Sequence, residues 1–180
     1  DLETTATWDG ETGEFVIHSP REEAGKEWIG NAALHGRMAT VFAQLHVDGQ
    51  EHGVHALVVP IRGEDGRPLP GIRIEDNGPK AGLNGVDNGR IWFDSVRVPR
   101  DHLLDRFAQV TEDGRYESPI DSPGRRFFTM LGTLVAGRIS IASASVSAAK
   151  VGLTVAVRYS EHRVQFGPED GPEVPILDYP

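Results

Sequence analysis

Gly137-Arg138-Ile139-Ser140-Ile141-Ala142-Ser143-Ala144 opens the stretch that decides the fold, which ends Arg158-Tyr159-Ser160-Glu161-His162-Arg163-Val164-Gln165-Phe166-Gly167. No proline occurs from Arg125 to Arg163. Leu131, Val135, Arg138/Ile139, Ala142, Val146, Ala149, Leu153 and Ala156 recur at intervals of three and four, which is one face of a helix. Alanine and serine beside that stripe allow a second helix to approach closely. Gly132, Gly137 and Gly152 each cost about 1 kcal/mol relative to alanine, so a bend or a close contact is expected there. A helix built this way belongs to a bundle, and 180 residues leave room for only one or two such helices. The chain also starts on Asp1, in what reads as a strand. It is therefore expected to be a fragment, a processed product or an isolated domain. The tail from Pro168, with Pro172, Pro175 and Pro180, cannot be helical.

Upstream of the helix, residues 4 to 98 read as β structure. Thr4 to Trp8 and Glu14 to His18 flank Asp9-Gly10-Glu11-Thr12-Gly13, a hairpin connection. Met38 to Val47 and Val54 to Ile61 pair across the turn at Asp48-Gly49. Gly63 to Gly71 is a loop by composition, and Gly71 to Ile74 and Arg90 to Val98 alternate as strands. Short strands between turns predict a barrel or sandwich. Pro99 to Leu104 reads as one helical turn. Residues 111–124, with Asp113-Gly114, Pro119 and Pro123, read as a linker. The expected division is a β domain over 1–110, that linker, and a helical part over 125–180.

Bulk properties exclude several classes. The net charge of −9 and the absence of a basic patch argue against a nucleic-acid interface. Without cysteine there is neither a disulfide scaffold nor a thiolate metal site. No apolar run approaches the roughly 20 residues of a membrane span, and no signal peptide opens the chain. Fifteen arginines against three lysines suggest a GC-rich bacterial genome and hence a cytoplasmic protein.

Three segments can carry chemistry. Lys26-Glu27-Trp28-Ile29-Gly30-Asn31-Ala32 lies between two strands. A planar cofactor can stack on Trp28 while Gly30 lets backbone approach its edge; the plain alternative is a core tryptophan beside a turn glycine. At the helix end, Arg163 can hold a phosphate bidentately and Phe166 can support a ring, with Gln165 between them. Ordinary helix termination, capped by Gly167 and stopped by Pro168, explains the same residues. Arg138 sits on or beside the apolar stripe, where a buried guanidinium needs an anionic partner. Asp87-Asn88-Gly89 reads as a turn before a strand. His46, His52 and His55 read as polar decoration of a hairpin rather than zinc ligands, since strand positions three apart face opposite ways unless a bulge intervenes.

Taken together and in order, Lys26 to Ala32, Phe93-Asp94-Ser95-Val96-Arg97-Val98-Pro99, and Gly137-Arg138-Ile139 through Arg163-Val164-Gln165-Phe166-Gly167 resemble the flavin-dependent acyl-CoA dehydrogenase and acyl-CoA oxidase superfamily. Leu2-Glu3-Thr4-Thr5-Ala6-Thr7, His55-Ala56-Leu57-Val58-Val59-Pro60 and Pro68-Leu69-Pro70-Gly71-Ile72 resemble the oxidase branch. The resemblance implies that the β part is the family's middle domain and that 125–163 is the first helix of its C-terminal bundle. It implies FAD as cofactor, with Trp28, Gly30 and Asn31 lining the flavin. Arg163, Gln165 and Phe166 would reach the FAD of a neighbouring subunit in a homodimer or larger homo-oligomer, and Arg138 would lie near acyl-CoA. Dehydrogenases of the family usually carry Thr or Ser where Gly30 stands, which favours the oxidase branch. The catalytic glutamate would lie beyond residue 180, leaving this chain inactive alone. The implied activity oxidises acyl-CoA to trans-2-enoyl-CoA with formation of hydrogen peroxide, in a peroxisome if the source is eukaryotic. The rivals are a dehydrogenase that passes electrons to a flavoprotein, and a non-enzymatic β assembly module.

Overall fold

The computed structural model describes residues 2–179, so Pro180 lies outside the described residues. Ten strands come first: β1 Thr5–Asp9, β2 Glu14–His18, β3 Lys26–Gly30, β4 Met38–Val47, β5 Gln50–Pro60, β6 Ile72–Asp76, β7 Asn88–Phe93, β8 Val96–Pro99, β9 Gln109–Val110 and β10 Tyr116–Glu117. Two helices follow, α1 Pro123–Leu131 and α2 Val135–His162. Contacts divide the chain into two compact units that meet at Met130 and Leu131.

In the first unit, a five-stranded sheet runs β5-β4-β1-β2-β8 and a three-stranded sheet runs β3-β7-β6. The two predicted hairpins form: Thr5 pairs with His18 through Asp9 with Glu14, and Val47 with Gln50 across Asp48 and Gly49. Both turn residues have positive φ, as a tight two-residue hairpin turn requires. β1 and β4 pair in parallel, Thr5 opposite Gln44 and Thr7 opposite His46. Period-two alternation drives Ala6 and Trp8, Phe15 and Ile17, Val41 to Val47, and Leu57 and Val59 into one core. Ile72, Ile91 and Phe93 of the second sheet join the same core.

The two sheets share one core, as in the sandwich expected, and among the described residues they do not close into a barrel, since the edge strands β5 and β8 are not paired with each other. In three other places the β architecture departs from expectation. Arg90 to Val98 is not one strand. Ser95 adopts positive φ and splits it into β7 and β8, which belong to different sheets. Lys26 to Gly30 is itself a strand rather than a connection. The stretch 111–124 is not a bare linker, because β10 within it pairs with β9. It leads into α1, whose buried Arg126 donates to the carbonyls of Ile120 and His52. The single turn after Pro99 forms as expected, over Arg100–His102.

The helical run is broken where Gly132 stands: Gly132–Leu134 forms a 3-10 turn between α1 and α2. In the second unit α2 buries none of its residues. Ile141, Val151 and Val155 are exposed apolar residues off the expected stripe, so α2 is apolar on more than one side. Ser140, Ser145, Ser147 and Thr154 donate their hydroxyls to carbonyls four residues back, so those hydroxyls are satisfied within the helix itself. By length and composition alone the helical stretch Pro123–His162 is long and apolar enough to cross a membrane. The same properties fit a helix buried in a bundle.

Candidate cofactor-binding segments

The first candidate segment sits on β3, the edge strand of the smaller sheet. Between Lys26 and Ile29 the register with β7 shifts, marking a bulge. At this bulge Trp28 takes φ of 59° and Asn31, just past the strand, takes φ of 62°. Positive φ is uncommon for any residue with a Cβ, and a bulky aromatic there is a strained exception. The bulge turns Trp28 outward: it is 58% exposed, so it is not the core tryptophan of the plain alternative. Ile29 packs inward against the core cluster. Burial pushes the Lys26 ammonium down to about 8.

Gly30 has no heavy atom within 4 Å of where a Cβ would stand. The fold therefore does not require glycine there. An exposed aromatic plane beside a bare backbone edge offers a planar ring system a face to stack on and an unobstructed rim.

What holds this segment comes from elsewhere in the chain. The Asp87 carboxylate accepts N–H bonds from Ala33 at 2.9 Å and from Leu34 and His35 at 3.0 Å. The His35 ring nitrogen Nδ1 also lies 3.0 Å from it. Burial of Asp87 acts to raise its pKa, but the N–H bonds from Leu34 and His35 outweigh it and hold the group below the ordinary carboxylate range. Its main-chain carbonyl accepts the Asn31 N–H at 2.9 Å. From the other side, the buried Arg62 guanidinium donates to the carbonyls of Gly36 at 2.9 Å and of Ala32 and Ala33 at 2.7 Å. Arg62 did not stand out in the sequence, and Asp87 did so only as part of a turn. Asp87-Asn88-Gly89 reads as a turn, whereas Asn88 opens β7. Gly89 is needed because a Cβ there would stand 2.7 Å from the Ala33 nitrogen.

The histidines are partly misread as well. His55 is 1% exposed, not decoration, and its Nε2 lies 3.0 Å from the Tyr116 hydroxyl. His52 stacks on the same Tyr116 ring. A register shift between Gln44 and His46, with Gly53 at positive φ, brings both rings to one tyrosine. Among the described residues no group of three or more metal-ligating side chains occurs.

The second candidate segment, in the helical unit, follows α2. The helix ends at His162, earlier than the sequence suggests, and Arg163 is its extended C-cap. The tail folds back: Gln165 N–H donates to Val174 at 3.1 Å, Val174 N–H to Phe166 at 2.8 Å, and Ile176 N–H to Arg163 at 2.9 Å. Gly167 is no simple helix cap, because a Cβ there would run into the Pro172 carbonyl. Phe166, at φ of 58°, is 69% exposed. This is a second exposed aromatic held on left-handed backbone. Arg138 is exposed on α2 rather than buried.

Residues 131–180 match the family model described as acyl-CoA oxidase, C-alpha1 domain. Over 180 residues the chain is 52% identical to the peroxisomal acyl-coenzyme A oxidase 3 of Arabidopsis thaliana, covering 99% of this chain and 27% of that protein. Along 99% of its length this chain is related to acyl-CoA oxidases. Among solved structures, acyl-CoA oxidase 1 of Arabidopsis thaliana superposes with a TM-score of 0.80 at 40% identity, over 99% of this chain and 27% of that one. Acyl-CoA oxidase-1 of Caenorhabditis elegans, complexed with FAD and ATP, gives 0.67 at 38% identity, over 99% and 26%. The chain thus spans about a quarter of the length of the oxidases it matches, and corresponds to their middle β domain and the start of their C-terminal helical domain.

Proposed function

We propose that this chain is the part of an FAD-dependent acyl-CoA oxidase that presents one face of the flavin site and the first helix of the bundle. The observation that carries the proposal is Trp28, strained and exposed beside the bare edge at Gly30, within a chain related to oxidases along its whole length. The overall reaction takes one hydrogen from each of two adjacent acyl carbons and delivers both to dioxygen, giving trans-2-enoyl-CoA and hydrogen peroxide. Bound FAD would supply the two-electron acceptance between acyl group and oxygen.

The chain's own residues bind and orient. Trp28 offers its ring face, Gly30 an unobstructed main-chain edge, and Asn31 a polar rim. Arg163, Gln165 and Phe166 form the second contact set, which we assign to the flavin of a neighbouring subunit in a homodimer or larger homo-oligomer. Arg138 is assigned to the acyl-CoA side, where covering helices would desolvate it and the substrate's anionic groups would pair it. Proton abstraction is assigned to no residue of this chain. Gly30 leaves no hydroxyl at the flavin edge, which favours the oxidase over a dehydrogenase. The relatives' peroxisomal names favour a peroxisomal protein over the bacterial cytoplasmic reading.

The test uses the full-length protein. An absorbance band near 450 nm as purified, substrate-dependent hydrogen peroxide release, and rapid re-oxidation of the substrate-reduced protein by air are expected. An empty 450 nm region would point to a non-enzymatic β module. A bound flavin that re-oxidises only through an electron-transfer flavoprotein would make it a dehydrogenase.

A further inference from the structure

We infer that Arg62 and Asp87 are positioning residues for the cofactor edge, a pair of opposite charges that clamps the loop 31–36 and so sets the backbone at Trp28 to Asn31. The inference rests on the flavin reading above and adds to it two residues outside the motif.

The geometry is that of a loop gripped at both poles. Three consecutive N–H groups, from Ala33, Leu34 and His35, converge on one carboxylate whose side chain is only 6% exposed. Carbonyls of the same loop, from Ala32, Ala33 and Gly36, converge on one buried guanidinium. The two ends of the loop also bond directly, Gly36 N–H to the Asn31 carbonyl at 2.5 Å. Converging N–H groups form an anion-binding concavity, and the Arg62 fork supplies several donors from one rigid plane. Here both are spent on the protein's own backbone.

The grip has a physical purpose. Left-handed backbone at Trp28 and at Asn31 is unfavourable for residues with a Cβ. Local sequence supplies no compensation, because β3 is a five-residue edge strand with a broken register. Charge-assisted bonds are about twice as strong as neutral ones, and six of them converge on this one loop to offset that cost. Gly89 and Gly36 complete the arrangement by letting backbone approach where a Cβ would stand 2.7 Å from Ala33 N and 2.8 Å from Asn31 O respectively. Arg62 and Asp87 come from separate loops, so the exposed tryptophan edge is aimed by the first unit's tertiary structure.

The experiment compares full-length wild type with Arg62→Met, Arg62→Lys, Asp87→Ala and Asp87→Asn, using Arg97→Ala, a surface ion-pair change on β8, as the control. Readouts are the FAD dissociation constant, the shape of the flavin absorbance band, and hydrogen exchange at the amides of Ala33, Leu34 and His35. Arg62→Met and Asp87→Ala are expected to weaken FAD on the order of tenfold and to speed exchange at those amides, with the control unchanged. Arg62→Lys should not rescue, since one ammonium cannot match the fork; Asp87→Asn should rescue partly through its remaining carbonyl. If either stronger variant fails to fold, the Lys and Asn variants decide by the same readouts. Normal FAD affinity and band shape in all folded variants overturns the inference. Faster amide exchange without altered FAD binding overturns it too, leaving the clamp purely structural. A wild type that holds no FAD overturns the functional reading instead, and the exchange data then still report whether the clamp exists.

Discussion

Lowering the pH should weaken the first unit through one buried histidine. His55 Nδ1 donates to the Gly53 carbonyl at 3.0 Å, which leaves Nε2 to accept from the Tyr116 hydroxyl at 3.0 Å. Burial, the first cause, lowers the His55 pKa to about 4, opposed by the Gly53 carbonyl and assisted by Arg126 and His52. Arg126 from α1, His52 from β5 and Tyr116 from β10 are the titratable or charged groups that meet at this ring. In the unfolded chain the group returns to 6.5. Between those values the unfolded state binds the extra proton, so stability rises with pH across that window. The contribution is complete above pH 6.5, declines as pH falls toward 4, and is then lost. Its size is about 3 kcal/mol at an equivalence of about 1.4 kcal/mol per pH unit. The assay is urea unfolding of the full-length protein at several pH values from 7.5 to 4.5, in wild type and in His55→Gln. Carboxylates contribute equally to both proteins, so the difference in slope isolates His55. Wild type should lose up to one proton's worth more stability per pH unit than the variant. Identical slopes would refute the reasoning.

Other outcomes follow from the same geometry. Gly30→Thr enters open space, so stability should change by less than about 0.5 kcal/mol while re-oxidation of the reduced protein by oxygen slows in stopped flow. Gly167→Ala drives a Cβ into the Pro172 carbonyl and should cost about 1–3 kcal/mol locally, seen as faster proteolysis between residues 163 and 176. Arg126→Met removes a buried guanidinium and leaves the His52 carbonyl unpaired, while the Ile120 carbonyl keeps its bond from the Ser118 hydroxyl, which should destabilise by about 2 kcal/mol in chemical unfolding.

Much of the local structure was legible because it follows from short-range rules. Asp48-Gly49 between two apolar alternating runs specifies a hairpin, and glycine's poor helix propensity permits the break at Gly132, although α2 runs unbroken through Gly137 and Gly152. The long helix and its need for partners were also readable, although apolar residues off the stripe show that more than one side needs covering. The corner at Ser95 was not legible. A single residue at positive φ leaves the alternation of Arg90 to Val98 almost intact, yet it moves the two halves into different sheets. Nothing in the sequence from Lys26 to Gly30 signalled the bulge at Trp28, and two histidines three apart gave no sign of sharing Tyr116.

By itself the sequence determined the elements, the order of β part before helical part, and the motifs whose succession resembles the oxidases. Those depend on side-chain period and residue identity along the chain. Only the tertiary structure decided that Trp28 faces outward, that Gly30 borders empty space, and that Asp87 and Arg62 grip the loop between them. Those outcomes depend on backbone hydrogen bonds supplied by side chains dozens of positions away, and no local pattern encodes them.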